Sequence, residues 1–210
     1  RVLFRSGIYN GPVFARIWVD DPRYGVPFLS NSDMLNADLA NLPLLQRRYA
    51  ESKKLAHLEL SPGTTLITCS GTIGRMTYVR PDMAGMWSSQ HIMKVVPDPE
   101  RVPAGYLYAY LSSRYGVPLV VSGTYGAIIQ HIEPEHIAEL PVPRFAPEVE
   151  QRIDQAIVRS ASLRDEASRT LKSATAELLS SAGLPAMSTN GAVTPFSVSS
   201  VCASSIQRRC

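Results

Sequence analysis

The residues whose types could support catalysis are few and scattered along the 210-residue sequence. Cys69 precedes a Ser-Gly-Thr-Ile-Gly segment that runs from Ser70 to Gly74. This segment lacks the Gly-Lys-Ser/Thr ending of a phosphate-binding loop, and no glycine stands two residues before Ser70, as a nucleophile elbow requires. We interpret it as a tight turn between two strands, in which glycine supplies a positive φ. Its exposed Ser70 and Thr72 could still contact a phosphate oxygen.

One cluster combines histidines with carboxylates, at residues 131–136. As a metal site it is poor, because Pro134 breaks any helix through it and no His-Glu-x-x-His motif is present. We interpret its carboxylates as flanking a helix start and its histidines as surface or hydrogen-bonded polar residues. His57 and His91 are isolated in the sequence, and we interpret both as structural.

A glycine-rich segment runs from Ser122 to Gly126 and leads into an apolar stretch. Two interpretations stay open for it. It is either a connector into a short buried element, or a rigid loop that offers Ser122, Thr124 and Tyr125 to a ligand.

Cysteine use and hydropathy limit the cellular setting. Cys69, Cys202 and Cys210 cannot all pair within one chain, and no Cys-x-x-Cys motif is present. A reducing, cytoplasmic setting is the simplest interpretation, and a disulfide between Cys202 and Cys210 is the alternative. No apolar run approaches the roughly 20 residues of a membrane span. The first residues also lack the apolar region of a signal peptide.

Residues 1–144 have the pattern of an α+β domain with a mainly antiparallel, twisted sheet. Short runs of alternating apolar and polar residues are separated there by Pro and Gly turn signals, which is typical of strands. The predicted strands are Thr64–Cys69, Arg75–Val79 and His91–Val96. The predicted helices are Ala104–Tyr115, ended by Gly116 and Pro118, and a shorter one at Met34–Leu39, capped by Ser32 or Asp33.

Residues 145–183 predict one long amphipathic helix, and residues 184–210 a flexible Ser-rich tail. Pro147 lies in the first turn of the helix, and Gly183 ends it. Apolar residues recur at helical spacing, so the helix needs a partner to bury them and is of the coiled-coil type. This interface stripe consists of Val149, Ile153, Ile157, Ala167, Leu171, Ala174 and Leu178.

Positive charge is concentrated early in the chain. The formal net charge is only +3, but the first 94 residues hold 11 Lys and Arg against 7 Asp and Glu. The densest run comprises Arg47, Arg48, Lys53 and Lys54. Such a run is usually a solvated face, yet a basic half-domain also orients toward a polyanion, since phosphate contacts need only a few cations.

The order of these segments resembles a target-recognition domain of the DNA-specificity (S) subunit of type I restriction-modification systems. A Val-Pro-Phe-Leu segment at residues 26–29 comes first, followed by Ser70–Gly74 in mid-domain. A Pro-Val-Pro segment at residues 141–143 then leads to Glu150-Gln151-Arg152-Ile153, which opens the long helix. The resemblance covers roughly residues 24–180, with a single recognition domain and one conserved-region helix.

The resemblance implies a non-catalytic subunit that reads one half of a bipartite duplex target and docks methyltransferase subunits, and a restriction subunit, through its long helix. The chain itself would need no cofactor, since S-adenosylmethionine and ATP with Mg²⁺ would bind partner subunits. Base reading needs amide, guanidinium and hydroxyl groups on a firm scaffold. The candidate DNA-binding residues are Asn31, Ser32, Arg47, Arg48, Lys53, Lys54, Arg75, Gln90, Ser122 and Tyr125.

S subunits usually carry two recognition domains and two helices. A chain with one of each is expected to be a half-subunit that forms a homodimer through the long helix, or a fragment. Two alternatives stay open: the recognition end of a fused type II restriction-methyltransferase enzyme, and a small hydrolase that uses Cys69 or Ser70.

Overall fold

The computed structural model describes residues 4–126 and 131–184. The strands are β1 (Phe4–Tyr9), β2 (Trp18–Val19), β3 (Gly25–Leu29), β4 (Leu44–Gln46), β5 (Thr65–Thr68), β6 (Met76–Tyr78), β7 (Trp87–Ser88) and β8 (Ile92–Pro97). The helices are α1 (Arg47–Ala50), α2 (Ala104–Leu111), α3 (Gly116–Ser122), α4 (Pro134–Glu139) and α5 (Pro147–Ser181). The predicted tail from residue 185 onward and the alternative Cys202–Cys210 disulfide lie outside the described residues.

The first sheet has the strand order β1-β8-β5-β6 and is antiparallel throughout. Successive side chains point to opposite faces of a strand. Ile67 of β5 and Met93 of β8 therefore join the core cluster that includes residues of α2. Their neighbours Leu66 and Ile92 join a second cluster, which contains Leu29 of β3. Both faces of this sheet are thus covered, one by helices and one by the rest of the domain.

The second sheet has the order β2-β4-β3-β7, in which β3 and β7 pair in parallel and the other pairs are antiparallel. Phe28 and Trp87 face each other across the parallel pair, and both are buried. The indole Nε1 of Trp87 donates to the carbonyl oxygens of Ala50, at 3.1 Å, and Leu55, at 3.0 Å. These bonds tie α1 and the turn after it to the sheet.

The predicted α+β class, the three strands and the long helix are confirmed. The predicted strands appear as β5, β6 and β8, each within two residues of the expected bounds. The coiled-coil character of the long helix and the domain boundaries remain predictions. No helix in the described part of the chain combines the length and apolar character that crossing a membrane requires.

The helix predicted at Met34–Leu39 is wrong, because this segment forms a series of turns. Asp33 accepts hydrogen bonds from the backbone N–H and the hydroxyl of Ser30, and Asp38 accepts one from the N–H of Ala40. Met34 and Leu39 are buried in the second core cluster. The spacing of Met34 and Leu39, which resembled that of a helix, arises because a loop places both side chains in the core. The hydrogen bonds of the Asp side chains favour turns over a helix.

The helix predicted at Ala104–Tyr115 is also corrected, because α2 ends at Leu111 and a new helix, α3, begins at Gly116. The hydroxyl of Ser113 accepts hydrogen bonds from the N–H groups of Tyr115, at 3.2 Å, and Gly116, at 3.1 Å. Pro118, expected to stop a helix, lies in the first turn of α3, where proline costs no internal hydrogen bond.

Helix α5 begins and ends as its residue types predict. Pro147 occupies the first helical position, and Glu148 and Glu150 lie in the first turn at the positive end of the helix dipole. At the other end Gly183 has a φ of 65°. The N–H of Leu184 donates to the carbonyl of Leu179 at 2.9 Å, and that of Gly183 to Ser180 at 3.1 Å, which is a Schellman motif.

Helix α5 packs across the N-terminus of α2. The N–H of Gly105 donates to Oδ1 of Asp154 at 2.7 Å, so α5 supplies the cap that α2 lacks in its own N-cap residue, Pro103. A Cβ at Gly105 would lie 2.9 Å from the carbonyl oxygen of Asp154 and 2.9 Å from the Cβ of Ile157. Glycine therefore sets how closely the two helices approach.

The two halves of α5 have different surroundings. In the proximal half, Ile153 packs against the first core cluster and Ala161 is buried. Beyond Ser168, which is also buried, apolar residues are exposed, with Leu171 at 55% and Leu178 at 69%. The proximal half thus packs on the two sheets and the short helices, which together we call the head. The distal half carries exposed apolar residues.

Glu150 fastens the start of α5 to the segment before it. This buried carboxylate accepts hydrogen bonds from Nε and Nη2 of Arg144, both at 2.8 Å, and from the N–H of Phe145 at 2.9 Å. The Arg144 guanidinium, followed by the Phe145 N–H, lowers the pKa of Glu150 below its ordinary value of 4.5 despite the opposing effect of burial.

Replacing Gly105 with Ala tests the crossing of α2 and α5. The added methyl group has no room against Asp154 and Ile157, so we expect G105A to lower the free energy of unfolding by about 1–3 kcal/mol. Denaturant unfolding measures this change. Alanine is the better helix former, so a G105A variant as stable as the wild type, or more stable, would show that the helices do not touch here.

The Glu150 network predicts a pH-dependent effect of the variant E150Q. The pKa of Glu150 is lower in the folded chain than in the unfolded chain. Its ionised carboxylate therefore stabilises the fold at pH values above the unfolded-state pKa. This stabilisation is lost as the pH falls through the folded-state pKa. Since Arg144 is half-exposed, we expect E150Q to cost about 1–2 kcal/mol near neutral pH. The difference from wild type should shrink as pH falls below 4.5. A difference that is constant across this range in acid-to-neutral unfolding measurements would contradict the assignment.

Candidate functional site

Three loops that connect strands of the two sheets line one cleft. Residues 30–32 follow β3, residues 69–75 join β5 to β6, and residues 89–91 join β7 to β8. The cleft has a volume of about 520 Å³. Its lining consists of Arg16, Ser30, Asn31, Ser32, Thr68, Thr72, Arg75, Ser89 and His91.

The β5–β6 connection is the tight turn that its sequence predicts. Gly71 and Gly74 have φ values of 78° and 80°, in the region that glycine adopts without strain. The hydroxyl of Thr68 accepts from the N–H of Arg75 at 3.0 Å and donates to the carbonyl of Thr72. The N–H of Gly74 donates to the carbonyl of Thr68 at 3.1 Å. These bonds hold the turn in one conformation and place Thr72 and Arg75 in the cleft wall.

Asn31 ties the connection after β3 to this turn. Its Nδ2 donates to the carbonyl of Ser70 at 3.1 Å. In addition, the N–H of Ser89 donates to the carbonyl of Leu29 at 3.0 Å, which joins the third connection to the end of β3. All three walls of the cleft are therefore cross-linked by hydrogen bonds.

The buried Lys94 holds the loop between β7 and β8 in place. The Nζ of Lys94 donates to the carbonyl of Ile92 at 2.9 Å and to that of Ser89 at 3.3 Å. Lys94 is 1% exposed, and burial lowers its pKa to about 7. Its Nζ thus bonds to carbonyl oxygens on both sides of His91 and ties the backbone of this connection to β8.

The cleft has an excess of positive charge, because no Asp or Glu is among its lining residues. Its two guanidinium groups, on Arg16 and Arg75, make none of the ion pairs that the described residues contain. The guanidinium of Arg16 lies 5.3 Å from the ring centroid of Phe28, which orients it by a cation–π contact. Burial, then Arg16 and His131, lower the pKa of His91, so its ring is neutral at pH 7 and can donate or accept a hydrogen bond.

The structure brings only part of the predicted DNA-binding set to this cleft. Asn31, Ser32 and Arg75 line it. Gln90 lies beside it, with its Nε2 at 3.2 Å from Nε2 of the lining residue His91. These four residues come from three segments that are far apart in the sequence, and the sheet topology brings them together.

The basic run lies elsewhere, on α1 and the turn that follows it. Arg47 donates to the carbonyl of Gly25 at 2.9 Å and pairs with Glu51. Arg48, Lys53 and Lys54 are exposed, and none of the four lines the cleft. A DNA-binding role for this run remains a prediction.

Ser122 and Tyr125 are near the cleft turn but have partners of their own. The Ser122 hydroxyl donates to the carbonyl of Leu119 at 2.7 Å, at the end of α3. The Tyr125 hydroxyl bonds to Glu133, and its backbone pairs with His131, which also forms a bridge to Ser70. Both residues therefore brace the region behind the turn.

Arg16 and His91 are cleft residues that the sequence did not indicate. Arg16 lies in the irregular segment between β1 and β2, and no local motif connects it to the other cleft residues, which follow from Ser30 to His91. The structural role that the sequence predicts for His91 remains a prediction, and the structure places the residue in the cleft wall. The one local signal was its position directly after Ser-Ser-Gln, between two short strands.

Cys69 and Ser70, the residues considered for catalysis, are both buried, although the turn was expected to expose Ser70. Cys69 is buried, and burial raises the pKa of its thiol to about 11. A thiol protonated at neutral pH is a poor nucleophile. In the part of the chain that the structure describes, no three His, Cys, Asp or Glu side chains are grouped as metal binding requires. His136 instead lies with its Nε2 at 2.8 Å from the carbonyl of Leu119.

Comparison with known proteins identifies the fold. No protein-family model matches the chain, and no curated protein matches it by sequence. Among solved structures, it is similar to the S subunit of a type I restriction-modification system from M. genitalium, with a TM-score of 0.50 and 16% identity. The match covers 79% of this chain and 38% of that one. This likeness confirms, at the level of the fold, the resemblance noted in the sequence.

The environment of Cys69 predicts slow alkylation. A pKa of about 11, against an ordinary 9.0, lowers the thiolate fraction at pH 8 by about a hundredfold. In a variant with Cys202 and Cys210 replaced by Ser, we expect iodoacetamide to label Cys69 at least that much more slowly in the folded than in the unfolded chain. Rapid labelling of the folded chain, blocked by a small ester or amide, would instead favour the hydrolase alternative.

Proposed function

We propose that this chain is a sequence-specific duplex DNA-binding subunit, the non-catalytic specificity subunit or half-subunit of a type I restriction-modification system. The observation that carries the proposal is the cleft. Its Arg16 and Arg75 form no ion pair with the described residues, and they lie beside amide and hydroxyl groups with no carboxylate among the described lining residues. The likeness of the fold to that of a solved S subunit supports a role of this cleft in DNA recognition.

The chemistry of the cleft suits a nucleic acid better than a small substrate. Guanidinium groups bind phosphate oxygens or the acceptor pair of guanine, and amides and hydroxyls suit base edges. The walls are cross-linked by hydrogen bonds from Asn31, Ser89 and Lys94, so these groups are held in position before DNA arrives. Rigid presentation lowers the ordering cost of binding.

Helix α5 supports a role in assembly. Its proximal half is packed on the head, where Ile153 and Ile157 are half-buried, so these two stripe residues already contact this chain. Its distal half exposes Leu171 and Leu178, with Ala167 and Ala174 on the same predicted stripe. In the proposed function this half pairs with a second copy and docks methyltransferase subunits, which would bind S-adenosylmethionine, while ATP with Mg²⁺ would act on a restriction subunit.

The chain spans 38% of the length of the solved S subunit. In the proposed function, one copy therefore reads one half of a bipartite target. A pair of copies, joined through α5, would read both halves, with the long helices setting the distance between them.

The proposal predicts salt-sensitive binding that depends on the two cleft arginines. Titration of a fluorescent random-sequence duplex with the 210-residue chain should show an affinity that falls steeply with salt. Because each lost phosphate contact removes about one counterion, R16A and R75A should each weaken binding several-fold and reduce the slope of log affinity against log salt by about 1.

The matched control is R159A, which removes one exposed positive charge from α5, away from the cleft. It should bind like the wild type. Binding that is indifferent to salt, or that R159A weakens as much as R75A does, would contradict the proposal.

A further inference from the structure

We infer that Asn31 is a specificity-determining residue that reads the exocyclic amino group of a DNA base. The inference rests on the proposed function and adds to it the chemical group that one cleft residue recognises. Two observations carry it: the orientation of the Asn31 amide, and the unsatisfied oxygen that this orientation leaves in the cleft wall.

The orientation of the amide follows from its partner. A backbone carbonyl only accepts hydrogen bonds, and the carbonyl of Ser70 lies 3.1 Å from the Asn31 side chain. The NH₂ group of Asn31 must therefore face Ser70, and the amide cannot be turned around without losing this bond. Since Ser70 belongs to the rigid β5–β6 turn, the side chain is fixed in one direction.

The opposite end of the amide has no donor. Oδ1 of Asn31 is buried and accepts no hydrogen bond from the residues that the structure describes. Leaving such an acceptor unpaired costs about 1–3 kcal/mol, and folded proteins seldom tolerate it without a reason. An incoming donor would recover this energy.

In duplex DNA that donor can come only from a base. Phosphate groups and deoxyribose offer acceptors, whereas the base edges offer the amino groups of adenine and cytosine in the major groove and of guanine in the minor groove. The two guanidinium groups of the cleft, on Arg16 and Arg75, differ from Asn31 in this respect, because they can only donate. Those two suit phosphates or guanine, and Asn31 suits an amino group.

Asn31 shares the cleft with groups that are free to bind DNA. Arg75 and Ser32 line the same cleft and are exposed, and Arg75 forms no ion pair with the described carboxylates. In the inferred complex, Arg75 binds a phosphate and a base of the same duplex reaches Asn31.

The test is selection of preferred duplexes from a random library by the wild type, N31A and N36A. Asn36 is a matched control, since it is an exposed asparagine a few residues further along and does not line the cleft. N31A also loses the bond to Ser70, but the backbone bonds of Ser89 to Leu29 and of Gly74 to Thr68 remain. We therefore expect N31A to lose its preference at one base pair and to keep the others, with an unchanged salt slope. N36A should select the same sequence as the wild type.

Base analogues then identify the group that is read. In the selected duplex, each adenine, cytosine or guanine at the affected pair is replaced by purine, 2-pyrimidinone or hypoxanthine, which lack the amino group. The wild type should bind the matching analogue about tenfold more weakly, whereas N31A should bind both duplexes equally. The analogue that has this effect shows whether the amino group belongs to adenine, cytosine or guanine.

The outcomes separate the two hypotheses. If the wild type selects no sequence, the proposed function fails. If the wild type selects a sequence but N31A selects the same one, or loses all its preferences together with its folded-state stability, the reading role of Asn31 is overturned. Equal sensitivity of the wild type and N31A to the analogues would overturn it as well.

Discussion

The hydrogen bonds that join the three connections around the cleft are the constraint on which the rest of the structure depends. Asn31 bonds to Ser70 of the β5–β6 turn, and Ser89 bonds to Leu29 at the end of β3. Each bond links segments of the chain that are far apart in sequence. Without them, the polar groups of the cleft would sit on independent loops, and a DNA-reading surface needs them at fixed separations.

Helix α2 connects α5 firmly to the sheet that carries the cleft. The Asp154 carboxylate caps α2, and Gly105 lets the two helices meet at close range. Helix α2 in turn packs on β5 and β8, the strands whose ends form the cleft. The head and the proximal half of α5 therefore behave as one packed unit. In the proposed function, this packing would let α5 hold two heads at a fixed distance, which a helix on a flexible linker could not do.

The helices and strands could be predicted from the sequence where the local pattern was strong. The residues of the cleft could be predicted only in part. Strands β5, β6 and β8 have clear alternation, and α5 has helical spacing with Pro147 and Gly183 at its ends. The prediction of a helix at Met34–Leu39 was wrong, because these two residues contact the core from a loop and have the spacing expected of a helix. The break between α2 and α3 depends on Ser113, whose bonds to backbone N–H groups no periodicity reveals.

The same reasoning explains which site residues could be found. The Ser70–Gly74 turn was recognisable from its glycines, and Asn31 and Arg75 from their chemical type. Arg16 and His91 join the site only through tertiary contacts, while the basic run around Arg47 attracted attention by its density and lies away from the cleft.

Mapping backbone amide shifts of the isotope-labelled chain during titration with its selected duplex tests the central role of the cleft most directly. The largest shifts should fall together in residues 30–32, 70–75 and 89–91. Shifts concentrated on α1 or on the distal half of α5, with the three cleft connections unmoved, would contradict it.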